Sequence, residues 1–424
     1  MKREEKAGRG RALDIRCQGP GARADDVRQV IKLVEARRVY GRPHHQQKTL
    51  AELVRGSYQE TDFGTVLVAS RRFPPSYRHG LLPIGSVLEK PLHPLAAAAG
   101  SQSGKELRAD RLLYVDTETT GLMMGTGTYA FLIGVGFFDD DGFTLRQYFM
   151  EDLDQEPALI AAFDELLPRF DGIVAYNGRA FDFPILETRF ILSRRRLPGH
   201  IEYLDLLRTS RALWKDHLPD YRLTTIEAEV LGYRREADDL QGWMIPHIYF
   251  TWLRQRRPEP IAGVFARNVD DVLSLVALAG WQAALFHDPY SFDLAPPEWS
   301  GLGRLWEPFS WERSRACYQE ALNAGLKGEL WQRLAKRLAS IEKRRGNWGE
   351  ARKFWEECIA ADERFDPQPW EELAKHYEHR AKEYTRAREF VLTALDRALE
   401  CQAREAILAR LQHRLTRLNN KCEA

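Results

Sequence analysis

Three short segments of this 424-residue chain carry acidic side chains at spacings suited to phosphodiester chemistry. In YVDTETTGL, Asp116 and Glu118 stand two residues apart at the end of an apolar run that reads as a strand. Period-2 alternation projects both carboxylates from one face. In IVAYNGRAFDFPILETRF, a strand leads through a Gly turn to Asp182, where a helix begins. Asp182 reads either as a site carboxylate or as a helix N-cap, because Asp before a first turn containing Pro184 accepts backbone N–H groups well. Asn177, at the strand end, either binds a substrate phosphate or sugar or shapes the turn. In ARNVDDVLSLVALAGW, the apolar Val272, Leu275, Val276, Leu278 and Ala279 mark one helical face. Asp271 falls at its edge beside Leu275 and Leu278, while Asp270 points away. A carboxylate at a buried edge is costly unless paired or metal-bound; the alternative is that both aspartates sit in a solvated first turn.

Four carboxylates brought together repel one another. They stay ionised at neutral pH only with cations such as Mg²⁺ or Mn²⁺, which favour oxygen ligands. Two such ions about 3.5–4 Å apart activate a water and stabilise both the attacking and leaving oxygens of a phosphodiester. Asp116, Glu118, Asp182 and Asp271 are the candidate members of such a catalytic metal site, if the three segments converge.

The elements that must position them read as an α/β region from residue 106 to 286. AFLIGVGFFDDDGFTLRQYFM reads as two strands joined at DDDG, EPALIAAFDELLPRF as a helix, and DGIVAYN as a further strand. Residues 1–26 are polar, Gly-rich and aperiodic, the texture of a disordered tail. Residues 27–105 read as an extension with a helix over Val27–Arg38, short strands such as GTVLVASRRF, and a linker in LHPLAAAAGSQSGKELRAD. A Pro-rich linker over 287–308 precedes an all-α region over 309–424. There Ala316, Ala351 and Ala387 recur at intervals of 35 and 36 residues (351 − 316 and 387 − 351), and Trp331 and Trp370 open similar stretches. A period near 34 with paired helices resembles tetratricopeptide repeats; an irregular helical bundle is the alternative.

With 62 Lys and Arg against 61 Asp and Glu, the formal net charge is +1, so no global field draws in nucleic acid; local patches and metal ions must do so. The five cysteines lack a CxxC pair or zinc-ligand spacing and read as reduced thiols of a cytoplasmic protein. The N-terminus lacks the apolar stretch of a secretory signal, and no run reads as the roughly 18 apolar residues of a membrane span. Three basic groups, Ser193–Arg196, Arg234 with Arg235, and Arg254 with Arg256 and Arg257, read as solvated helix ends or as phosphate contacts. Trp243, Tyr249, Phe250 and Trp252 read as core aromatics or as base-stacking surfaces.

YVDTETTGL, VAYNGRAFDFPIL and NVDDVLSL resemble, in order, the three exonuclease motifs of the DEDD superfamily. The wider stretch from Leu112 to Leu278, with TGTYAFLIGVG, YLDLLRTSRALW and LTTIEAEVLGYRREADDLQGWMIPHIYF, resembles the YprB-like ribonuclease H-like proteins. The resemblance implies a ribonuclease H-like fold followed by a helical-repeat domain, and a 3′–5′ exonuclease acting on DNA or RNA. It places the metal ligands on Asp116, Glu118, Asp182 and Asp271, a further acidic position on Asp205, and contacts to the terminal nucleotide on Thr117, Leu122 and Asn177. The helical repeats suggest a protein partner.

One departure stands out. Such domains carry a Tyr four residues, or a His four or five residues, before the last Asp, whereas this chain has Arg267 and Ala266. Arg is no general base at physiological pH, but it can clamp a phosphate or stabilise transition-state charge. The competing reading is a catalytically degenerate nucleic-acid-binding or scaffold protein acting through its helical repeats.

Overall fold

The computed structural model describes residues 48–101, 106–121, 126–235, 240–361 and 365–423. The expected tail over 1–26, the helix over Val27–Arg38 and Leu122 lie outside these residues. Contacts divide the chain into two units, one comprising the chain up to Leu206 with Leu223–Ala284, the other Leu207–Arg222 with Leu285–Ala424.

In chain order the elements of the first part are α1 (Leu50–Val54), β1 (Gly56–Thr61), β2 (Gly64–Phe73), α2 (His93–Ala99), β3 (Leu112–Thr119), β4 (Ala130–Asp139), β5 (Gly142–Phe149), α3 (Glu156–Asp164), β6 (Gly172–Ala175), α4 (Asp182–Leu192) and β7 (Glu202–Asp205). They are followed by α5 (Leu206–Trp214), α6 (Leu223–Ile226), α7 (Ile245–Gln255) and α8 (Pro258–His287). The seven strands form one sheet in the order β1-β2-β5-β4-β3-β6-β7. Pairing is antiparallel from β1 to β3, and parallel from β3 through β6 to β7.

β4 is buried along nearly its whole length, as its unbroken apolar run demands of a central strand covered on both faces. Val115 lies opposite Val135, and this face packs with Leu159, Leu186 and Phe190 of α3 and α4 in the main core. The other face presents Asp116 opposite Gly134 and Tyr114 opposite Gly136.

Two expectations are corrected. The segment read as a linker before residue 106 contains α2, with Leu95, Ala96, Ala98 and Ala99 buried. Strands β1 and β2 also belong to the main sheet through β5, so the boundary expected at residue 106 does not part the fold. The β5 residues that pair with β2 lie 70 to 82 residues downstream (143 − 73 and 149 − 67), beyond the reach of local periodicity.

Helix α8 satisfies the length and apolarity of a membrane span, contrary to the expectation of no such run. Its most apolar window is 83% buried within the fold, as befits a core helix.

The second unit continues with α9 (Pro296–Trp306), α10 (Trp311–Asn323), α11 (Gly328–Arg344), α12 (Trp348–Ala360), α13 (Pro367–His376), α14 (Tyr384–Glu400) and α15 (Glu405–Glu423). The linker expected over 287–308 thus holds helix α9, with Trp299, Leu302 and Trp306 buried; its prolines sit at the first helical positions, where no N–H is lost. Trp311, Trp348 and Tyr384 open α10, α12 and α14 at intervals of 37 and 36 residues (348 − 311 and 384 − 348). Ser314, Ala351 and Ala387 are the equivalent buried positions, whereas Ala316 is exposed. The expected alanine series was therefore two residues out of register at its first member.

Candidate metal centre

The last residues of β3 carry the acidic pair, and the glycines of β4 set what can approach it. A Cβ on Gly134 would fall 2.0 Å from Asn268 Oδ1, and one on Gly136 would fall 2.7 Å from Val272 Cγ1. Only hydrogen at these two positions lets α8 close onto the sheet. That approach brings Asp271 to the acidic pair: one carboxylate oxygen each from Asp116, Glu118 and Asp271 lies within 4.8 Å of the others. All donors are oxygens, a set that suits hard divalent cations such as Mg²⁺ or Mn²⁺.

Burial and mutual repulsion disfavour the charged forms. Burial, with the charges of Asp271, Glu118 and Asp182, raises Asp116 well above the usual carboxylate range, against a hydrogen bond from Asn268. Burial and Asp271 push Glu118 up to about 8, although Arg267 pulls the other way. Burial raises Asp182 to about 6 despite the Thr117 hydroxyl.

Asp182 stands outside the three-carboxylate group. It is the first residue of α4 rather than its N-cap, which is Phe181. Thr117, opposite in alternation to Asp116 and Glu118, donates its hydroxyl to Asp182 Oδ1 at 2.6 Å. The fourth carboxylate is therefore fixed beside the strand end, close enough for its charge to raise both Asp116 and Glu118.

Asp205, at the end of β7, accepts the backbone N–H of Asn177 at 2.8 Å and of Arg179 at 3.3 Å. Asn177 adopts φ 64°, a left-handed conformation that Asn tolerates better than most residues, and its carbonyl accepts from Ala180 and Phe181. Both residues thus shape the turn that delivers Asp182. α4 is itself anchored by Arg189, whose guanidinium makes a paired contact with Glu156 in the core and donates to Thr126 O at 2.7 Å.

The hydrogen-bonded frame around the carboxylates includes Asn268, Gln147 and Glu227, which the sequence does not single out, and gives Arg235 a role that its reading as a basic group did not anticipate. Asn268 Nδ2 donates to Asp116 Oδ2 at 2.8 Å, and Gln147 Nε2 holds Asn268 Oδ1 at 2.8 Å. Arg235 Nη2 donates to Asp271 Oδ1 and to Glu227 Oε1, each at 2.6 Å. Glu227 Oε1 also accepts the Ser274 hydroxyl, which contacts His79 Nε2 at 2.8 Å. Arg267 sits one helical turn before Asp271, with Nε 3.7 Å from Asp271 Oδ2 and Nη1 donating to Leu240 O at 2.8 Å. The signal for Asn268 was the GVG of β4, which demands a close neighbour; the pairing of Arg235 with Glu227 and Asp271 had none, since those partners lie 8 and 36 residues away.

Three further arginines of the basic groups serve the fold. Arg195 pairs with Asp164, Arg194 closes α4 at φ 57°, and Arg256 caps α7 while donating to Asp152 Oδ2 at 3.0 Å.

The family model described as RNase_H superfamily matches residues 113–283, a span that holds all four carboxylates and Asp205. The chain is also 31% identical over 365 residues to a protein of Bacillus subtilis (strain 168) designated "Uncharacterized protein YprB". That alignment covers 84% of this chain and 86% of the relative.

Proposed function

We propose that the chain, which belongs to the YprB-like group of the ribonuclease H superfamily, is a divalent-metal-dependent nuclease that removes nucleotides from 3′ ends of DNA or RNA. The observation that carries the reading is the convergence of Asp116 and Glu118 of β3 with the remote Asp271 of α8 within 4.8 Å, three carboxylates held together against their own repulsion. Such a cluster is stable in its ionised form only when cations enter it.

Asp116, Glu118 and Asp271 would hold Mg²⁺ or Mn²⁺, with Asp182 completing the set for two ions. When bound, the ions supply water activation and stabilise charge on the attacking and leaving oxygens. The chain's own residues orient this machinery. Asn268 fixes the rotamer of Asp116, the Thr117 hydroxyl fixes Asp182, and Arg235 fixes Asp271. Arg267, with Nε 3.7 Å from Asp271 Oδ2, is the candidate to take a substrate phosphate and charge developing on it. Thr117, Leu122 and Asn177 are the candidate contacts to the terminal nucleotide, and the helical unit is the candidate seat of a protein partner.

The test is release of nucleotides from 5′-labelled single-stranded, duplex and flapped DNA and RNA with Mn²⁺. Wild-type turnover falling to background in Asp116→Asn is expected; unchanged cleavage in that variant would remove the site assignment. The second reading, a degenerate binding protein, is favoured by one observation: Arg235 and Arg267 both face Asp271 and offset its charge without a metal. Nucleic-acid binding without turnover on any substrate, and recovery of turnover in Arg267→Tyr or Arg267→His, would establish it.

A further inference from the structure

The four aromatic residues of the 240s serve two different ends. Tyr249 is buried and stacked on Phe131 at 4.0 Å, and Trp252 is buried with its Nε1 donating to Glu151 O at 3.0 Å. Phe250 packs against the same core. Trp243 does the opposite. At 72% exposure it is the most exposed large apolar side chain among the described residues. Its neighbours Met244 and Ile245 already anchor the start of α7 in the core. Packing therefore gives no reason for an indole at this position.

Its location supplies one. Trp243 lies in the turn Gly242–Met244 that leads into α7. Arg267 grips this segment: Nη1 donates to Leu240 O at 2.8 Å, and a Cβ on Gly242 would stand 3.9 Å from Nη2. The same guanidinium lies 3.7 Å from Asp271 through Nε. One side chain thus links the carboxylate cluster to the short segment that displays the exposed ring.

Resting on the nuclease reading above, we propose that Trp243 is a stacking platform for an unpaired base of the substrate, so that the site takes single-stranded nucleic acid or a frayed end rather than intact duplex. Bases inside a duplex are already stacked and offer only their edges in the grooves, whereas an unpaired base of any identity presents a π-face to an aromatic ring. The adjoining Arg267 supplies the positive charge for the phosphate of the same strand. The platform accepts purines and pyrimidines alike and makes the substrate class a matter of strandedness rather than sequence.

The test separates this proposal from the nuclease reading by measuring binding and cleavage independently. Full-length wild type, Trp243→Ala and Trp243→Phe are titrated against fluorescent single-stranded DNA and RNA oligonucleotides in EDTA, where no cleavage occurs. Trp243→Ala should weaken single-strand binding by roughly 5- to 150-fold, the range that loss of one stacked base implies, while Trp243→Phe keeps most of the affinity. Duplex binding should be the same in all three. An oligonucleotide carrying abasic sites should lose affinity for wild type but not for Trp243→Ala. At this exposure the substitution leaves the melting temperature unchanged, so a loss of binding cannot be put down to unfolding. Equal single-strand affinity in wild type and Trp243→Ala, or no single-strand binding by wild type, overturns the platform even if Mn²⁺-dependent cleavage is intact. Binding that depends on Trp243 in a protein without turnover upholds the platform and removes the nuclease reading.

Discussion

Two clusters of acidic side chains, one around Glu378 in the helical unit and one around Asp116 and Glu118 in the α/β unit, settle their charge in opposite ways. In the helical unit, Glu378 has no exposed side-chain surface and lies in a turn following α13. Arg417 Nη2 meets its carboxylate at 2.6 Å, Arg414 Nη1 at 2.9 Å and Lys421 Nζ at 3.0 Å. Burial alone would raise its pKa, but hydrogen bonds from Arg417 and Lys421 hold it down to about 2. In the α/β unit, the neighbours of Asp116 and Glu118 are mainly other carboxylates, and the same burial raises them. A buried acid that the chain neutralises itself is part of the scaffold; acids left facing one another need a charge from outside and mark a site.

The largest expected effect breaks this comparison at the scaffold end. Glu378→Gln leaves three cations around a neutral group and should destabilise the helical unit by about 3–5 kcal/mol, the usual consequence of breaking a buried ion pair on one side. Asp116→Asn removes a repelling charge and keeps an amide near Asn268, so the metal-free protein should be as stable as wild type or slightly more so. Hydrogen exchange, which reports on α14 and α8 separately, measures both. A loss of protection in Asp116→Asn matching that in Glu378→Gln would mean that the acidic cluster is structural.

A somewhat smaller effect comes from supplying the missing charge. Mn²⁺ at 100 times its dissociation constant should stabilise the α/β unit by about 2.7 kcal/mol through mass action, and leave exchange in α14 unchanged. In Asp116→Asn the stabilisation should vanish. Equal protection of both units by Mn²⁺ would point to weak binding at scattered surface carboxylates.

The contrast between the units also explains what the sequence could and could not reveal. Asp116, Glu118 and Asp271 were legible because each lies on a regular element, where periodicity says which way a side chain faces. The position of Asp271 at the edge of an apolar face in α8 followed from that rule alone. Asn268 and the pairing of Arg235 with Asp271 escaped because they act through partners remote in sequence, and a loop arginine is ordinarily solvated. The same applies to β1 and β2, whose place in the sheet depends on β5. In the helical unit, recurring alanines suggested a repeat, yet the buried series begins with Ser314, because its hydroxyl is satisfied by Gly303 O at 2.8 Å. Small size and a satisfied hydrogen bond, rather than residue identity, define that position.

The smallest expected effect is a pH slope. In the metal-free protein Glu118 titrates near 8 when folded, above its ordinary value of 4.5, so the folded state holds more protons than the unfolded one between those limits. Stability from this group is complete below about pH 4.5 and is lost as pH rises through about 8. His79 opposes it at lower pH: burial and Arg235 depress its pKa from 6.5 to about 4, so its contribution is lost as pH falls through that interval. The window from pH 6.5 to 8 therefore excludes His79 and leaves the acidic cluster, Glu118 together with Asp116. Across it, protection of α8 should decline in the metal-free wild type, and Glu118→Gln should lessen the decline, both by removing its own titration and by removing one of the charges that raise Asp116. Glu378, with its pKa near 2, leaves α14 without a slope from that group in the same window. Mn²⁺ should reverse the trend in the α/β unit, because cation binding needs the deprotonated carboxylates and tightens as pH rises. A metal-free α8 equally protected at pH 6.5 and 8 would mean that the three carboxylates do not share the close, water-poor setting on which the whole contrast rests.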